Sequence, residues 1–327
     1  MKLLTKLTQA DGVSGNESTV RGIIENEIKE YCDEISTDAM GNLIAHKKGP
    51  GKKVMFAAHM DEIGVMVTFI DEKGFIRFRG LGGLYVRILV GRRVRFADGT
   101  IGVIGSEEEA FNKKPALDKL YIDIGAKTRT EAEAHIKIGD TAAFTGEICA
   151  NGTTVISKAL DNRAGCYMLI KAIQKVKNSK NDLYFVFTAQ EEVGLRGAKT
   201  AAFSINPDYA VAVDVTDTGD TPEAPVMAVN MGGGAAIKVM DHSVICDADV
   251  RVKMIETAKK HRIPYQLEIM TDGGTDAGAI HLTRAGIKTG GISLPVRYIH
   301  SPSETAGMED LKACTKLVTE LAQDVWE

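Results

Sequence analysis

Histidine and carboxylate side chains recur in this chain directly after short apolar runs. His59 follows the run at residues 54–58, and Glu191 follows the run at residues 183–189. Buried parallel strands read as continuous apolar runs, and open α/β sheets place their sites at the carboxyl ends of such strands. We therefore expect these side chains to meet at one edge of a sheet, where three carboxylates and two imidazoles among them would make a metal site. The residues concerned are His59, Asp61, Asp161, Glu191, Glu192, Asp214 and His300.

His59 and Asp61 are two residues apart at the end of the first run. Side chains two apart along a strand lie on the same side, so the carboxylate of Asp61 can fix the second ring nitrogen of a metal-binding His59. Because a His-x-Asp pattern is a weak signal by itself, the pair could also be an exposed histidine and aspartate in a turn. The local sequence leaves both interpretations open.

Glu191 and Glu192 are adjacent carboxylates at the end of a very apolar run. Their charges would repel each other, and a bound dication would offset that repulsion. Adjacent side chains project in different directions, so one glutamate can bind a metal ion while the other acts as a general base on the bound water. The alternative is a solvated acidic turn.

Asp161 opens a helical pattern after a strand-like segment, and Asp214 closes the apolar run at residues 209–213. Asp161 could be only a helix N-cap and Asp214 only a turn former. Charge balance favours a joint role, because three carboxylates, two divalent cations and one bridging hydroxide sum to zero. Two imidazoles then supply one histidine for each metal ion. Nitrogen and oxygen donors without thiolate suit Zn²⁺, Co²⁺ or Mn²⁺ in a hydrolytic pair.

The composition excludes several classes of protein. The chain has 327 residues, 44% hydrophobic and 26% charged residues, and a net charge of −4, so we expect no nucleic-acid or membrane partner. Residues 1–6 are no signal-peptide core, and no apolar run approaches the ~18 residues of a membrane helix. Five scattered cysteines without a Cys-x-x-Cys pair predict reduced thiols and a cytoplasmic protein.

Alternating helix and strand patterns predict an α/β fold with a mixed, largely parallel sheet sandwiched by helices. The spacing of Val20, Ile24 and Ile28 predicts a helix over 17–35, which a capping box at Ser14-x-x-Glu17 would start. The remaining predicted helices are 162–177, 248–261 and 309–325, and the predicted strands are 53–58, 183–189 and 209–215.

Residues 65–147 interrupt this alternation with short strand-like pieces and glycine-rich turns. Strands are predicted at 86–90 and 93–96, and a helix at 128–134. Asp98-Gly99 and Glu72-Lys73-Gly74 are typical of hairpin turns. We expect a small β-domain at 65–147, inserted into a catalytic domain formed by 1–64 and 148–327.

Six segments, in this order, resemble the M42 family of metallo-aminopeptidases, and the resemblance covers essentially the whole chain. They are residues 59–64 (HMDEIG), 159–163 (ALDNR), 190–194 (QEEVG), 214–216 (DVT), 273–277 (GGTDA) and 299–302 (IHSP). The resemblance implies that His59, Asp161 and Asp214 bind one metal ion. It implies that Asp161, Glu192 and His300 bind the other, with Asp161 bridging the two.

The same resemblance implies the roles of the remaining site residues and the assembly. It makes Glu191 and Asp61 the catalytic residues, Glu191 as the general base and Asp61 as the residue that orients His59. The peptide bond after Asp161 is expected to be cis. The inserted domain at 65–147 is expected to be a PDZ-like β-barrel that mediates dimerisation, and dimers to assemble into a hollow tetrahedral dodecamer.

The segment at residues 271–278 is rich in glycine but lacks the Lys-Ser/Thr of a phosphate loop. Its aspartates, among them Asp276, would repel a phosphate group. Two interpretations remain, a tight turn or a wall of the substrate pocket, and in the second Thr275 and Asp276 would contact the substrate.

We therefore predict a dinuclear-metal aminopeptidase that removes N-terminal residues from short peptides, with Glu191 activating a metal-bridging water. A metal-dependent deacetylase or other amidase is the nearest alternative. A glucan hydrolase would need a protonated carboxylic acid, which a neighbouring dication disfavours. A non-enzymatic scaffold is a further alternative, which the complete ligand set opposes.

Overall fold

The structure, a computed structural model, describes residues 1–107, 116–222 and 224–327. Its α-helices are α1 (Lys2–Gln9), α2 (Ser18–Ile28), α3 (Arg129–Glu133), α4 (Leu160–Lys175), α5 (Arg196–Ile205), α6 (Ala248–Lys260), α7 (Asp276–Ile280) and α8 (Met308–Gln323). Its strands are β1 (Glu34–Thr37), β2 (Leu43–Lys47), β3 (Lys53–His59), β4 (Gly64–Ile70), β5 (Ile76–Leu81), β6 (Arg93–Phe96), β7 (Ile101–Ser106), β8 (Leu120–Asp123), β9 (Thr141–Phe144), β10 (Cys149–Asn151), β11 (Thr154–Ser157), β12 (Asp182–Thr188), β13 (Tyr209–Thr216), β14 (Ala235–Met240), β15 (Tyr265–Ile269), β16 (Lys288–Arg297) and β17 (Glu304–Gly307).

Eleven strands form one mixed sheet in the order β1-β2-β12-β3-β13-β16-β17-β11-β10, in which β14 also pairs with β16 and β15 pairs with β14. At its centre β12, β3, β13 and β16 run parallel to one another. Strands β1, β2, β17, β11 and β10 pair in antiparallel fashion on either side. Parallel strands are usually covered on both faces, which explains why the central strands read as continuous apolar runs. The predicted α/β class with a mixed sheet is confirmed.

Helices cover both faces of the sheet, and β3 contributes side chains to both. Val54 and Phe56 belong to a large apolar cluster that also contains buried residues of α1, α2, α4, α6 and α8. Met55 and Ala57 belong to a smaller cluster with residues of α5 and α7. This alternation is the two-residue period of a strand with apolar residues on both sides. The core therefore fixes β3 so that His59 emerges at its carboxyl end.

Most of the predicted elements of this layer are confirmed within two residues at each end, but the first amphipathic helix is not. Helix α2 ends at Ile28, and Ile35 lies instead in β1, where it pairs with Ala45. The apolar spacing continues past the helix end because the β1–β2 hairpin packs on the same core. The capping box is also wrong, since Ser14 Oγ donates to Asp61 Oδ2 and Glu17 accepts from the backbone N–H of Gly15.

The six remaining strands close an antiparallel barrel in the order β4-β5-β8-β7-β6-β9, around its own apolar cluster. The predicted turns at Gly74 and Gly99 are confirmed, and both glycines have φ in the left-handed region, at 85° and 91°. The helix predicted at 128–134 is α3. The strand predicted at 86–90 is wrong, because Val86–Ile88 form a 3₁₀ turn whose Leu89 anchors it in the barrel core.

An ion pair joins the barrel to the segment after α1, and further ion pairs continue from there. Arg95 on β6 donates to both carboxylate oxygens of Asp11, at 2.6 and 2.9 Å. Lys158 donates to Asp11 and to the buried carboxylate of Glu62, and Arg163 at the start of α4 donates to Glu62 as well. Lys158, Glu62 and Arg163 are each almost fully buried. A network of buried charges therefore lies next to the segment that carries Asp161.

Among the helices of the described residues, none is long and apolar enough to cross a membrane.

Candidate metal centre

The carboxyl ends of the central parallel strands bring the first three predicted ligands together. His59 ends β3, Asp214 lies near the end of β13, and Asp161 lies at the start of α4. The Nε2 atom of His59 is 3.0 Å from Asp161 Oδ1 and 3.6 Å from Asp214 Oδ1. All three side chains are buried. One ion could contact a ligand atom of each residue, since these atoms lie within 4.8 Å of one another.

A second group of three shares Asp161 with the first. The Nε2 atom of His300, three residues beyond the end of β16, is 3.4 Å from Asp161 Oδ2 and 3.2 Å from Glu192 Oε2. The ligand atoms of this group also lie within 4.8 Å of one another. Asp161 therefore directs one carboxylate oxygen to each histidine. The peptide bond between Asp161 and Asn162 is cis, as the resemblance implied.

The chemistry of this donor set fits divalent cations. The buried Oε1 atom of Glu192 has no hydrogen-bond partner within the described protein. Burial raises the pKa of Glu192, with Asp161 nearby adding to the shift, and burial likewise raises the pKa of Asp214. Burial lowers the pKa of His300, but Asp161 and Glu192 outweigh it and raise the pKa to about 12. Carboxylates crowded in this way require positive charge nearby, and a pair of cations would supply it.

Glu191 lies beside this donor set. Its Oε2 atom is 3.9 Å from Nε2 of His59, and the side chain is 10% exposed. Burial raises the pKa of Glu191 well above its usual range; His59 opposes the shift, whereas Asp214 and Asp276 add to it. A carboxylate that faces the cavity and has a raised proton affinity can accept a proton near neutral pH.

Asp61 has more partners than the sequence indicated. Its Oδ1 atom is 3.4 Å from Nδ1 of His59, and its backbone carbonyl oxygen lies 3.2 Å from the same nitrogen. The same carboxylate accepts hydrogen bonds from Ser14 Oγ at 2.6 Å and from the backbone N–H groups of Glu191 at 3.0 Å and Glu192 at 3.2 Å. The side chain is fully buried. Asp61 therefore fixes both glutamates through their backbone as well as contacting the histidine.

The two side chains proposed for substrate contact lie behind the cavity wall. Thr275 Oγ1 donates to Asp241, and Asp276 accepts a hydrogen bond from Thr188 Oγ1, with both residues 2% exposed. Burial raises the pKa of Asp276 to about 7, with Asp214 and Asp61 adding to the shift. The glycine-rich segment does line the cavity, but through residues 272–274. Residues 272–274 thus form part of the pocket wall, whereas Asp276 begins α7 and Thr275 is its N-cap residue.

A cavity of about 440 Å³ opens over both groups of donors. Glu191 and His300 line it, together with apolar side chains such as Leu195 and Met270. Asp217 lies at its rim, where burial raises the pKa of the carboxyl. The cavity has room for a small organic ligand in contact with the donor set.

Glu304 is a buried site residue that the sequence reasoning missed. It begins β17 and is 2% exposed, and it accepts backbone hydrogen bonds from Asp161 and His300. Burial raises the pKa of Glu304 well above its usual range, and Asp161 nearby adds to the shift. The only available signal was its position four residues after His300, which by itself favours a surface turn.

Comparison with known proteins identifies the family of the chain. A family model described as M42 glutamyl aminopeptidase matches residues 41–317. The chain is 58% identical to a protein of Acetivibrio thermocellus over 97% of both chains. It is 34% identical to the lysyl aminopeptidase of Pyrococcus furiosus, over 99% of this chain and 97% of the relative.

Comparison with solved structures also finds aminopeptidases. The aminopeptidase APDkam598 of Desulfurococcus kamchatkensis superposes with a TM-score of 0.94 at 38% identity, covering 99% of this chain and 94% of that one. The TET1 peptidase of Pyrococcus horikoshii, described as assembling into a tetrahedron or a large octahedral shell, has a TM-score of 0.89 at 36% identity over 99% of both chains. A Thermotoga maritima protein described as an endoglucanase has a TM-score of 0.83 at 33% identity, covering 98% and 96%. The chain belongs to the M42 family of aminopeptidases.

Proposed function

We propose that this protein is a dinuclear-metal aminopeptidase that removes N-terminal residues from short peptides, with Glu191 as the general base. The observation that carries the proposal is the pair of three-residue donor groups that share Asp161 and lie beside Glu191 at the base of one cavity. The family membership supports the reaction class. Roles for individual residues follow from the contacts described above.

His59, Asp161 and Asp214 would hold one divalent ion, and Asp161, Glu192 and His300 the other, with zinc, cobalt or manganese matching the donor types. When bound, such ions supply Lewis-acid polarisation of the scissile carbonyl and lower the pKa of a coordinated water. Asp61 keeps the imidazole of His59 turned towards the donor set, since it lies 3.4 Å from the opposite ring nitrogen.

Glu191 is placed to move the proton. Its carboxylate faces the cavity without being a member of either donor group, so it remains free to accept a proton from the attacking water. The same carboxyl would then deliver that proton to the leaving amine. Because Asp61 accepts the backbone N–H of Glu191, the base is held at a fixed distance from the donor set.

Restriction to N-termini would come from the charge of the cavity. Among the described residues that line it there is no lysine or arginine, whereas Asp217 and Asp272 lie on its wall in addition to the donor carboxylates. A free α-ammonium group would be attracted to such a site, and a neutral internal peptide bond would not.

We also propose that residues 65–147 form an inserted domain that mediates dimerisation and that dimers build a larger closed assembly, such as a dodecamer. Two observations support this: the separate apolar core of the barrel and the shell-forming relative from Pyrococcus horikoshii. The five cysteine thiols are free, which supports a cytoplasmic location.

A deacetylase or amidase could use the same donors, and a glucan hydrolase is suggested only by the name of the Thermotoga maritima relative. Sugar hydrolysis requires one carboxylic acid to stay protonated beside a second carboxylate, whereas a dication beside Glu191 would hold it ionised. The only tryptophan of the sequence, Trp326, is buried and does not line the cavity, so it is unable to stack on a glucan there.

A panel of aminoacyl anilides would test the proposal. Each substrate is assayed after chelation and again after zinc, cobalt or manganese is restored, with the matching N-acetyl aminoacyl anilide as the control. We expect activity to vanish on chelation, to return with metal and to require the free amino group. Cleavage of the acetylated compounds alone would favour the deacetylase or amidase, and glucan hydrolysis that survives chelation would favour the glycosidase.

A further inference from the structure

We propose that Glu304 is a positioning residue that fixes the two donor groups of the metal centre relative to each other. This inference rests on the proposed metal-dependent function. Glu304 Oε2 accepts the backbone N–H of Asp161 at 3.0 Å, and Glu304 Oε1 accepts the backbone N–H of His300 at 3.0 Å. One buried carboxylate thus contacts the shared ligand and a ligand found only in the second group.

The sheet topology explains this position. Strand β17 lies between β11 and β16, and Glu304 is its first residue. Its register partner on β11 is Ser157, four residues before Asp161. On β16, Arg297 lies three residues before His300 and pairs with Thr305, the residue that follows Glu304. The two segments that leave these strands therefore pass on either side of the Glu304 carboxylate.

Both segments need an external restraint. His300 has φ 60°, in the left-handed region that residues other than glycine rarely adopt. Ala159, two residues before Asp161, has φ 53° in the same region. Such backbone conformations persist only where surrounding contacts hold them. In the part of the chain that the structure describes, the Glu304 side chain accepts one backbone N–H hydrogen bond from each of these two segments.

The bonding pattern requires one side chain with two accepting oxygens. In Glu304→Gln one oxygen becomes an amide NH₂, which must face either the Asp161 or the His300 N–H and cannot accept from it. One backbone N–H then loses its buried acceptor whichever way the amide is turned. Glu304→Asp keeps both accepting oxygens but withdraws them by one methylene, so it should behave as a partial variant.

Metal affinity and the visible spectrum of the cobalt-loaded protein test this role. Affinity is measured by competition with a chromogenic chelator for wild type, Glu304→Gln, Glu304→Asp and the control Glu309→Gln, which removes an exposed carboxylate on α8. Loss of a contact that orients a ligand typically weakens metal affinity by ~10–100-fold. We expect Glu304→Gln to show that loss with a shifted cobalt spectrum, Glu304→Asp to be intermediate, and the control to match wild type.

The outcomes separate this inference from the proposed function. If wild type binds no metal, the proposed function fails and the role of Glu304 fails with it. If wild type binds metal and both Glu304 variants match it in affinity and cobalt spectrum, the positioning role is wrong while the proposed function stands. Should Glu304→Gln fail to fold, Glu304→Asp decides between these results by the same two measurements.

Discussion

Replacing Asp61 with asparagine should disturb the site through the backbone of the two glutamates. The carboxylate accepts from Ser14 Oγ and from the backbone N–H groups of Glu191 and Glu192, and it is fully buried. In the variant, the amide NH₂ replaces one of the two accepting oxygens. The Ser14 hydroxyl can turn and accept from it, but a backbone N–H cannot. One of the two glutamate N–H groups is therefore left without an acceptor in either orientation.

The size of the effect follows from that count. A buried donor without a partner costs ~1–3 kcal/mol, and the contact between Asp61 and His59 is weakened in addition. We expect the free energy of unfolding of the metal-free Asp61→Asn protein to fall by ~1–3 kcal/mol. Metal affinity should fall by ~10–100-fold, because the negative charge beside His59 is lost in either orientation and the backbone of one of the two glutamates loses a restraint.

Urea denaturation of the metal-free protein and chelator competition measure the two quantities separately. Asp249→Asn is a matched control, since it makes the same substitution at a side chain that is 75% exposed. Unchanged unfolding energy and metal affinity in Asp61→Asn would show that these hydrogen bonds do not hold the site. A loss of turnover equal to that of Glu191→Gln at full metal occupancy would instead indicate a direct catalytic role for Asp61.

Four further predictions concern the base, the shared ligand, a buried acid and the barrel. Glu191→Gln should keep its metal content but lose ~10²–10⁴-fold in kcat, measured with an aminoacyl anilide; near-normal turnover would exclude it as the base. Elemental analysis should show that Asp161→Ala loses both ions and His300→Ala mainly one, and two retained ions in the first variant would contradict the bridging role. Because the pKa of Asp276 is raised to about 7, the folded metal-free protein binds more protons than the unfolded chain, and this residue should make stability fall as pH rises from about 4 to 7. Thermal unfolding of Asp276→Asn should show a flatter dependence of stability on pH. An unchanged dependence would mean that another group causes it. Replacing residues 66–146 with a short Gly/Ser linker should leave metal binding intact but give a smaller species by size-exclusion chromatography, whereas an unchanged assembly would place the oligomer contacts in the sheet domain.

The positions of the proposed ligands could be predicted because strand ends are visible in the sequence. The apolar runs before His59 and Glu191 belong to β3 and β12, which pair in parallel so that Thr188 lies beside His59. Neighbouring strands of one direction end at one edge, and the residues that follow them must meet there. The order of the strands was not predictable from the runs alone, and neither was the antiparallel pairing at both sides of the sheet.

The residues that support the ligands could not be predicted, because their partners are backbone groups distant in sequence. Glu304 contacts Asp161 across 143 positions, and Asp61 contacts Glu191 across 130. No residue type or spacing encodes such contacts. Ser14 was assigned to a helix cap because it has the right local spacing, yet its hydroxyl reaches Asp61 instead. Tertiary contacts overrode a local signal there, as they did at Ile35.

The place of β16 in the chain has a consequence for how the centre is completed during synthesis. The strands that present His59 and Asp214, together with Asp161, are all translated by residue 216, and β3 and β13 already lie side by side in the sheet. His300 follows Asp214 by 86 residues, three residues after the end of β16, the strand that pairs with β13. At ~5–20 residues per second, a nascent chain would carry the donors of one proposed site for roughly 4–17 s before those of the second exist. The donors of the first proposed site are therefore synthesised before those of the second, and the two sites would become complete at different times.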